Sequence, residues 1–292
     1  MKVLILGATG MLGYSLYSNL SANPKLSVFG SVRSISGKER FFNDLRNNLV
    51  YLDDITDLVS VEATITELVP DVVINCIGLI KQYDIAKQHI EAIQINSLLP
   101  HQLAKICTKI GAKLIHFSTD CVFTGSSGGY LEKDTPDSQD LYGQSKKMGE
   151  VDYGGHLTFR TSIIGHELTS SVSLIDWFLA QSDNVKGFDR AVFSGFPTCY
   201  IAKVLQEKIL GSDLAGLYHL SAEPIDKNSL LNLVKGVYCK DIEITSDSSF
   251  VIDRSLNSEK LRKSINFAPL NWKGLVELMF KDYEKRYQNE EA

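Results

Sequence analysis

A tyrosine and a lysine four residues apart carry the clearest chemical signal in the sequence. Tyr142 and Lys146 lie in the run Tyr-Gly-Gln-Ser-Lys, and on a helix this spacing places both side chains on one face. An ammonium beside a phenol favours the phenolate, so we expect Lys146 to lower the pKa of Tyr142 from about 10 and make it a usable acid near neutral pH. The Thr119 hydroxyl, at the end of an upstream strand, could orient a carbonyl that receives a hydride while Tyr142 protonates its oxygen. Taken alone, the spacing is equally typical of an amphipathic helix with a surface lysine.

A glycine-rich turn near the start of the chain indicates where a hydride donor would bind. Gly7, Gly10 and Gly13 follow the apolar run 3–6 and open a helix-like segment. Glycine is needed there for a tight turn, for close approach of the backbone to a pyrophosphate and for close helix–sheet packing, and the helix N-terminus adds N–H groups and a positive dipole end. The turn residues predicted to bind the cofactor are Gly7, Thr9, Gly10, Met11, Leu12 and Gly13.

The end of the second predicted strand favours NADP as the cofactor. An acidic residue at this position would bind the ribose hydroxyls of NAD, but the sequence reads Gly-Ser-Val-Arg-Ser over residues 30–34. The planar guanidinium of Arg33 could pair with a 2′-phosphate. We therefore predict NADP and keep NAD as the alternative cofactor, while a solvated surface arginine is the competing interpretation of Arg33.

Two further strand ends complete the predicted cofactor site. Asp54 could accept a hydrogen bond from the adenine amino group, with Ile55 packed on the ring, or it could cap a helix that begins near Thr56. The fourth strand should run under the nicotinamide ribose, because ligands of open α/β sheets lie beyond the carboxyl ends of the strands. The cofactor residues predicted from this strand and from the chemical motif are Asn75, Cys76, Ile77, Tyr142 and Lys146.

Short β-branched runs that alternate with helix-like segments must position these residues. This alternation predicts an α/β fold, a Rossmann doubly wound parallel sheet with a smaller α/β substrate-binding lobe. We predict a nucleotide-binding part with the Tyr/Lys pair over residues 1–165 and a substrate-binding lobe over 166–292, interleaved with the first. The principal predicted strands are 3–6, 26–32, 50–52, 71–75 and 113–117, and the principal helices are 11–20, 55–68, 86–109 and 141–150.

Composition restricts the classes of partner. The formal net charge of the 292 residues is -5, which favours neither nucleic acid nor an anionic membrane surface. The five cysteines have no regular spacing, which suits a reducing compartment rather than a disulfide framework. The first apolar run is too short for a signal peptide, no stretch reaches the roughly 20 apolar residues that span a bilayer, and the histidines lack metal-ligand spacing. We therefore predict a cytoplasmic protein with no metal site.

The order of the motifs resembles that of the extended short-chain dehydrogenases, over nearly the whole chain. The branch that it is most similar to is that of the dTDP-4-dehydrorhamnose reductases and their sugar-nucleotide relatives. The resemblance implies that Thr119, Tyr142 and Lys146 are the catalytic residues, that Asn96 lies in a long helix near them, and that a homodimer forms. The shared motifs are Gly7–Gly13, Asn75, Asn96, Ser118–Phe123, Tyr142–Lys146, Arg160–Ser162 and Gly195–Thr198.

Two positions depart from the pattern of the branch. Cys121 stands where the family often has an aromatic residue, and Ile163 stands where it often has a tryptophan that resembles a substrate contact. The sugar-nucleotide dehydratases of the superfamily carry Thr-Asp-Glu where this chain has Thr-Asp-Cys. Because Cys121 cannot act as that acid, the sequence favours reduction over dehydration.

Several basic and aromatic residues are candidates to bind a nucleotide-sugar substrate. Arg254 matches a late basic position of the family and is our choice for the diphosphate, since arginine suits bidentate phosphate contacts. Arg160 and Arg190 are further candidates, whereas Lys186 and Lys260 are expected to be surface charges. The predicted substrate residues are Lys81, Asp120, Cys121, Ile163, Phe196 and Arg254.

The resemblance and the motifs together predict the activity. The expected reaction is the NADP-dependent reduction of a 4-keto-6-deoxy sugar nucleotide, in the synthesis of deoxysugars and polysaccharides. Two alternatives stay open: a non-catalytic regulatory subunit that binds NADP and a partner protein, and an epimerase on the same fold. The retained Tyr142 and Lys146 count against the first alternative, because a pure binding protein would not need them.

Overall fold

A seven-stranded parallel sheet forms the centre of the molecule in the computed structural model, which describes residues 1–80 and 88–288. Its spatial order is β11-β6-β5-β4-β1-β2-β3, and each neighbouring pair is parallel. The strand order reverses between β1 and β4, and such a point is where open α/β sheets bind ligands. The strands are β1 (Lys2–Leu6), β2 (Ser27–Val32), β3 (Leu49–Tyr51), β4 (Val72–Asn75), β5 (Lys113–Thr119), β6 (Leu157–Thr161) and β11 (Gly216–His219).

The sheet is covered on both faces, which confirms the predicted doubly wound α/β fold. Alternate residues of β1 belong to two different cores, with Val3 and Ile5 in one and Leu4 and Leu6 in the other. A strand buried on both sides needs a continuous apolar run, and this is why residues 3–6 carry no polar side chain. The helices that flank the sheet are α1 (Met11–Ser21), α2 (Leu58–Leu68), α4 (Leu99–Ile110) and α5 (Leu141–Met148).

The long helix predicted over residues 86–109 is interrupted in the structure. It consists of α3 (His89–Ala92), a π-helical stretch (Ile93–Leu98) and α4, and residues 86 and 87 lie outside the described part of the chain. Pro100 lies in the first turn of α4, where it has no N–H to donate to the carbonyl of Asn96. The backbone of Gly149 approaches that carbonyl closely, since a Cβ at Gly149 would lie 1.9 Å from the Asn96 oxygen.

The second half of the chain forms a smaller α/β region with its own core. Three short sheets pair β7 with β10, β12 and β14 with β9, and β13 with β8. Phe178, Leu230 and Val276 belong to the apolar cluster of this region. These strands are β7 (Ile163–Ile164), β8 (Val185–Phe188), β9 (Ala191–Phe193), β10 (Phe196–Pro197), β12 (Ile225–Asp226), β13 (Ile244–Asp247) and β14 (Ile252–Asp253).

The helices of this region pack partly against the central sheet domain. Helix α7 contacts α1, and strand β11 from the second half forms one edge of the central sheet. The division of the chain at residue 165 stays a prediction.

Nowhere in the described residues does a helix have both the length and the apolar character needed to cross a membrane. The helices are α6 (Leu174–Ala180), α7 (Thr198–Val204) with a π-helical extension (Leu205–Ile209), α8 (Lys227–Val237), α9 (Glu259–Ser264) and α10 (Trp272–Arg286), and the short 3-10 turns are Glu39–Phe42, Arg46–Asn48 and Asp120–Val122.

Candidate active site

The glycine turn between β1 and α1 has the geometry that a bound diphosphate requires. Gly7 has a φ of +84°, and a Cβ there would lie 2.8 Å from Cγ1 of Ile77. A Cβ at Gly13 would lie 2.0 Å from the Gly7 carbonyl oxygen, so only glycine lets α1 start this close to the turn. Gly10 precedes the helix without a side-chain cap, and the first turn holds no acidic residue. The first N–H groups of α1 can therefore bind an anion, and the turn fits a dinucleotide.

Thr9, Met11 and Leu12 contribute to this turn in different ways. Thr9 and Met11 are partly exposed beside the glycines, whereas Leu12 is buried. Leu12 belongs to the core under the sheet, which leaves its backbone as the part that can face a cofactor.

Arg33 and Asp54, which are predicted to bind the adenosine end of the cofactor, lie at the same edge of the sheet. Arg33 is exposed just past β2, and Asp54 follows β3. Asp54 Oδ1 accepts bonds from the Thr56 N–H at 2.8 Å and the Thr56 hydroxyl at 2.7 Å. These bonds, helped by the Arg33 guanidinium, hold the pKa of Asp54 below its usual value. Asp57, not Asp54, caps the next helix, and Ile55 is partly buried beside it.

The end of β4 is shaped by a buried amide. Asn75 Nδ2 lies 3.2 Å from His116 Nδ1, and its Oδ1 accepts the Ile77 N–H at 3.0 Å. The Asn75 side chain is fully buried, so it orders the strand end on which Cys76 and Ile77 lie. Burial raises the pKa of the Cys76 thiol, which suits a wall of the site rather than a reactive group.

A hydrogen-bonded chain of three residues lies beyond the end of β5. The Thr119 hydroxyl accepts the Cys121 N–H at 3.1 Å and donates to Asp120 Oδ1 at 3.1 Å. The Thr119 side chain is also close enough to the phenol of Tyr142 to lower its pKa. The structure thus places Thr119 and Tyr142 beside one another, as the proposed chemistry requires.

A close backbone approach holds Tyr142 in this place. Helix α5 starts at Asp140, whose carboxylate accepts the Gly143 N–H at 2.7 Å. A Cβ at Gly143 would lie 2.3 Å from the Cys121 carbonyl oxygen and 2.3 Å from Ser138 Oγ. The absence of a side chain at Gly143 therefore allows α5 to lie directly on the Asp120–Val122 turn.

The expectation that Lys146 lowers the pKa of Tyr142 is wrong for this structure. Burial raises the pKa of Tyr142, and the nearby Cys121 raises it further, against the opposing effect of the Thr119 side chain. The Lys146 ammonium instead donates to the Phe117 carbonyl at 2.6 Å. Burial lowers the pKa of Lys146 itself to about 8, and this effect outweighs the carboxylate of Glu150. The phenol therefore stays protonated because burial shields it from water, and Lys146 does not activate it.

Asn96 lies beside the lysine, where the resemblance places it. Its Oδ1 accepts the Leu79 N–H at 2.8 Å, and its Nδ2 donates to the Leu79 carbonyl at 3.1 Å and to Ser145 Oγ at 3.2 Å. A Cβ at Gly78 would lie 3.4 Å from Asn96 Oδ1 and 3.7 Å from Lys146 Nζ. The Asn96 side chain therefore connects the loop after β4 to helix α5 through hydrogen bonds.

Sequence reasoning missed a buried ion pair under the site. Glu150 accepts from Arg160 through Nε at 2.7 Å and Nη2 at 2.9 Å, from Ser118 Oγ at 2.9 Å and from Lys147 Nζ at 2.8 Å. Arg160 is only 1% exposed, so the hypothesis that it meets a substrate phosphate is wrong. The spacing could have revealed Glu150, because it follows Lys146 by four residues and continues the face of Tyr142.

Arg254 is held against the turn after β5 from the other side. Its Nε donates to the Phe123 carbonyl at 3.0 Å, and its Nη1 lies 3.6 Å from Cys121 Sγ. The segment that carries it is fixed by bonds to the loop before Tyr130: the Gly129 N–H donates to Ser255 Oγ at 2.8 Å. Arg254 also opposes the effect of burial, which raises the pKa of Asp120.

The remaining predicted substrate residues have different positions. Ile163 is the first residue of β7 and is partly buried. Phe196 is 0% exposed, with its ring centroid 5.0 Å from that of Tyr200, so its side chain belongs to the core rather than to a cleft. Lys81 lies outside the described residues. A residue that sequence reasoning did not single out, Lys227, shares the region of Asp120, Cys121 and Arg254, since all three affect its pKa.

The fold and this group of side chains define the class of the chain: it is an extended short-chain dehydrogenase, with a glycine turn after β1 and the Thr, Tyr and Lys group after β5. The family model described as RmlD substrate binding domain matches residues 1–230, and the chain belongs to this family.

Three individual proteins illustrate the similarity. The dTDP-4-dehydrorhamnose reductase of Escherichia coli is 29% identical over 235 residues, which are 76% of this chain and 73% of that protein. Methionine adenosyltransferase 2 subunit beta of Bos taurus is 33% identical over 150 residues, 51% of this chain, and the match spans only 41% of that relative's length. The crystal structure of dTDP-4-dehydrorhamnose reductase from Bacillus anthracis in complex with NADP superposes with a TM-score of 0.79 at 21% identity, covering 96% of this chain and 99% of that one.

Proposed function

We propose that the protein is an NADP-dependent reductase of a 4-keto-6-deoxy sugar nucleotide. The observation that carries this proposal is the close packing of α5 on the turn after Thr119, which places Tyr142 beside Thr119. This pair lies at the same sheet edge as a glycine turn suited to a dinucleotide. The relatives named dTDP-4-dehydrorhamnose reductase support the same substrate class. Such an enzyme would act in the synthesis of deoxysugars and polysaccharides.

Each residue of the group has a distinct part in this reaction. The reduced nicotinamide, when bound, supplies the hydride that adds to the carbonyl carbon. The Thr119 hydroxyl, which donates to Asp120 in the structure, turns its proton to the carbonyl oxygen of the substrate, and Tyr142 donates its proton to that oxygen as charge develops there. Because burial raises the pKa of Tyr142, the phenol carries that proton throughout the neutral range. Lys146, which is fixed by the Phe117 carbonyl, would add a positive charge near the bound cofactor.

The cofactor site is proposed to extend from the glycine turn to Arg33. The exposed guanidinium at the end of β2 suits a 2′-phosphate, and Asp54 lies across from it to meet the adenine amino group. Arg33→Ala should raise the Kd of NADPH by about tenfold, the loss expected for a charged phosphate contact, and leave that of NADH unchanged. Equal affinities of the wild type for both cofactors would contradict the assignment to NADP.

The test of the activity is NADPH oxidation with a panel of 4-keto-6-deoxy sugar nucleotides. We expect turnover with at least one member, and its loss in Tyr142→Phe. Binding of NADPH without turnover, together with a stoichiometric enzyme partner in a pull-down, would favour a regulatory subunit instead. NAD that stays bound through purification would favour an epimerase.

We also propose that the protein acts in the cytoplasm as a homodimer. Exposed apolar side chains lie on α3, on the π-helical stretch after it and on α5, which pack against one another. Clustered apolar surface of this kind marks an interaction site. Ile90→Glu with Met148→Glu should convert a dimer into a monomer in light scattering, whereas Val59→Glu, an exposed change on α2, should not. A monomeric wild type would contradict the proposal. The side chains concerned are Ile90, Ile93, Leu98 and Met148.

A further inference from the structure

His116 is a fully buried histidine in the middle of β5, between the apolar residues Ile115 and Phe117. It is in register with Asn75, the last residue of the neighbouring strand β4, which is also 0% exposed. Side chains in register on parallel neighbours point to the same face of the sheet. The two side chains are therefore direct neighbours, and the Asn75 amide nitrogen lies 3.2 Å from His116 Nδ1.

The hydrogen bonds of the Asn75 amide determine which atom of this pair donates. Asn75 Oδ1 accepts the Ile77 N–H at 3.0 Å, so the amide nitrogen is the atom directed at His116, and it can only donate. Burial lowers the pKa of His116 well below its ordinary value, and the Lys146 ammonium lowers it further, so the ring is neutral at neutral pH. His116 Nδ1 is thus the acceptor, and the ring proton is on Nε2.

The second ring nitrogen of His116 makes no comparable bond. Among the described residues, its Nε2 has no hydrogen-bond partner although it is buried. A buried N–H without a partner costs free energy, and a phenylalanine ring would fill nearly the same space without that cost. The gain from an imidazole at this position is therefore at Nδ1, where it holds Asn75.

The Asn75 amide connects His116 to the glycine turn after β1. Its oxygen holds the N–H of Ile77, and Ile77 packs on the turn, since a Cβ at Gly7 would lie 2.8 Å from Ile77 Cγ1 and 3.6 Å from its nitrogen. Without the acceptor on His116, the amide can rotate and release the Ile77 N–H. The end of β4 would then lose its fixed position against the turn that is suited to a dinucleotide.

We propose that His116 is a positioning residue for the dinucleotide, which orients the Asn75 amide and so fixes the end of β4 against the glycine turn. This inference rests on the cofactor site of the proposed function, and it does not depend on the identity of the sugar. Because His116 is fully buried, it acts through Asn75 and Ile77 rather than by touching the cofactor. The affinity for NADPH should therefore depend on the acceptor, whereas the stability of the fold should depend on the volume of the side chain.

Two substitutions at His116 separate these dependences. His116→Phe keeps a ring of similar size and removes the acceptor, whereas His116→Asn is smaller but keeps an amide oxygen close to the place of Nδ1. We expect His116→Phe to raise the Kd of NADPH by about tenfold, as for loss of one buried hydrogen bond, and His116→Asn to raise it by less than about threefold. In urea unfolding, His116→Asn should be the less stable of the two, because it leaves a cavity.

His156→Phe is the matched control for the loss of a buried histidine. His156 is 2% exposed, and its Nδ1 accepts the Leu114 N–H at 3.1 Å near the start of β5, at the opposite end of the strand from the proposed site. Its Nε2 bonds to the Ala104 carbonyl at 3.0 Å. This control should lower the stability of the fold and leave the Kd of NADPH unchanged.

Asn75→Ala tests whether the histidine acts through the amide. It should raise the Kd of NADPH by about tenfold, and adding His116→Phe should raise it no further. Equal Kd values for the wild type and His116→Phe, additive effects of the two changes, or affinities that follow stability among the His116 variants would overturn the inference and leave the cofactor site standing. A wild type that binds neither NADPH nor NADH overturns the proposed cofactor site, and this inference with it.

Discussion

Thr119 is the residue through which the other reacting groups are connected. Its hydroxyl accepts from the Cys121 N–H and donates to Asp120, and its side chain lies beside Tyr142. These bonds fix the position of the hydroxyl oxygen, and its proton turns from Asp120 to the carbonyl oxygen when a substrate binds. A positioned donor stabilises a developing oxyanion far more than a mobile one.

Removing this hydroxyl should reduce the chemical step. Thr119→Ala is expected to lower kcat by about 100-fold, the usual loss for one oxyanion donor, with the Kd of NADPH within about twofold. Thr119→Ser, which keeps the hydroxyl, should retain most of the activity. Steady-state kinetics with the keto sugar nucleotide measure both, and equal activity of Thr119→Ala and wild type would exclude the assigned role.

The lowered pKa of Lys146 gives a prediction for stability against pH. Its pKa is about 8 in the fold against 10.5 as the ordinary value, so the unfolded chain binds more protons between these two pH values. The free energy of unfolding should therefore gain a contribution as the pH rises through 8 towards 10.5, since the cost of the buried charge is relieved.

Urea unfolding of the wild type and Lys146→Met at several pH values isolates this contribution. We expect the difference in stability between Lys146→Met and the wild type to be largest near pH 7, in favour of the variant, and to shrink above pH 8. A difference that does not change with pH would show that Lys146 is not buried as a charged group.

At the level of the elements, the contact between α5 and the Asp120–Val122 turn decides where Tyr142 lies. A Cβ at Gly143 would lie 2.3 Å from the Cys121 carbonyl oxygen, and a backbone atom at that distance must move. The helix, and with it the phenol, would be displaced from Thr119.

Gly143→Ala should therefore lower kcat strongly while NADPH still binds, because the glycine turn lies on another strand. Gly236→Ala is the matched control: Gly236 lies in α8, and a Cβ there meets nothing within 4 Å. The control should keep full activity and should stabilise the fold slightly. Unchanged kcat in Gly143→Ala would show that the contact does not position the tyrosine.

Some elements of the fold could be predicted from the sequence alone, and others could not. The glycine turn, the five leading strands and the helical face of Tyr142 and Lys146 follow from periodicity and spacing, which are local properties. The π-helical stretch that carries Asn96 could not be predicted, because it depends on Pro100 and on the close approach of Gly149 from another element. The raised pKa of Tyr142 was equally hidden, since burial is a property of the packed molecule.

For the molecule as a whole, the buried Glu150–Arg160 pair joins the segment just after α5 to β6 beneath the site. Its bidentate bonds, with those from Ser118 and Lys147, use both oxygens of the carboxylate. The residues are ten positions apart in sequence and on different elements, so their pairing appears only once the sheet has formed.

Breaking this pair from one side should destabilise the whole fold. Arg160→Met is expected to cost about 3 kcal/mol, because it leaves the buried carboxylate of Glu150 with only the partly exposed Lys147 as a counterion. The double change Arg160→Met with Glu150→Gln should recover part of that loss, since no buried charge is then uncompensated. Denaturant unfolding of the three proteins measures this, and a double variant less stable than Arg160→Met would contradict the account.

The most direct test of the central claim follows the hydride itself. Cofactor deuterated at the transferred position of the nicotinamide is incubated with the protein and the panel of 4-keto-6-deoxy sugar nucleotides, and the sugar product is analysed by mass spectrometry and NMR. The account predicts deuterium on the former carbonyl carbon, C4, with the wild type and no labelled product with Tyr142→Phe. Bound NADPH that remains unoxidised with every sugar, or the same labelled product from Tyr142→Phe at the wild-type rate, would contradict it.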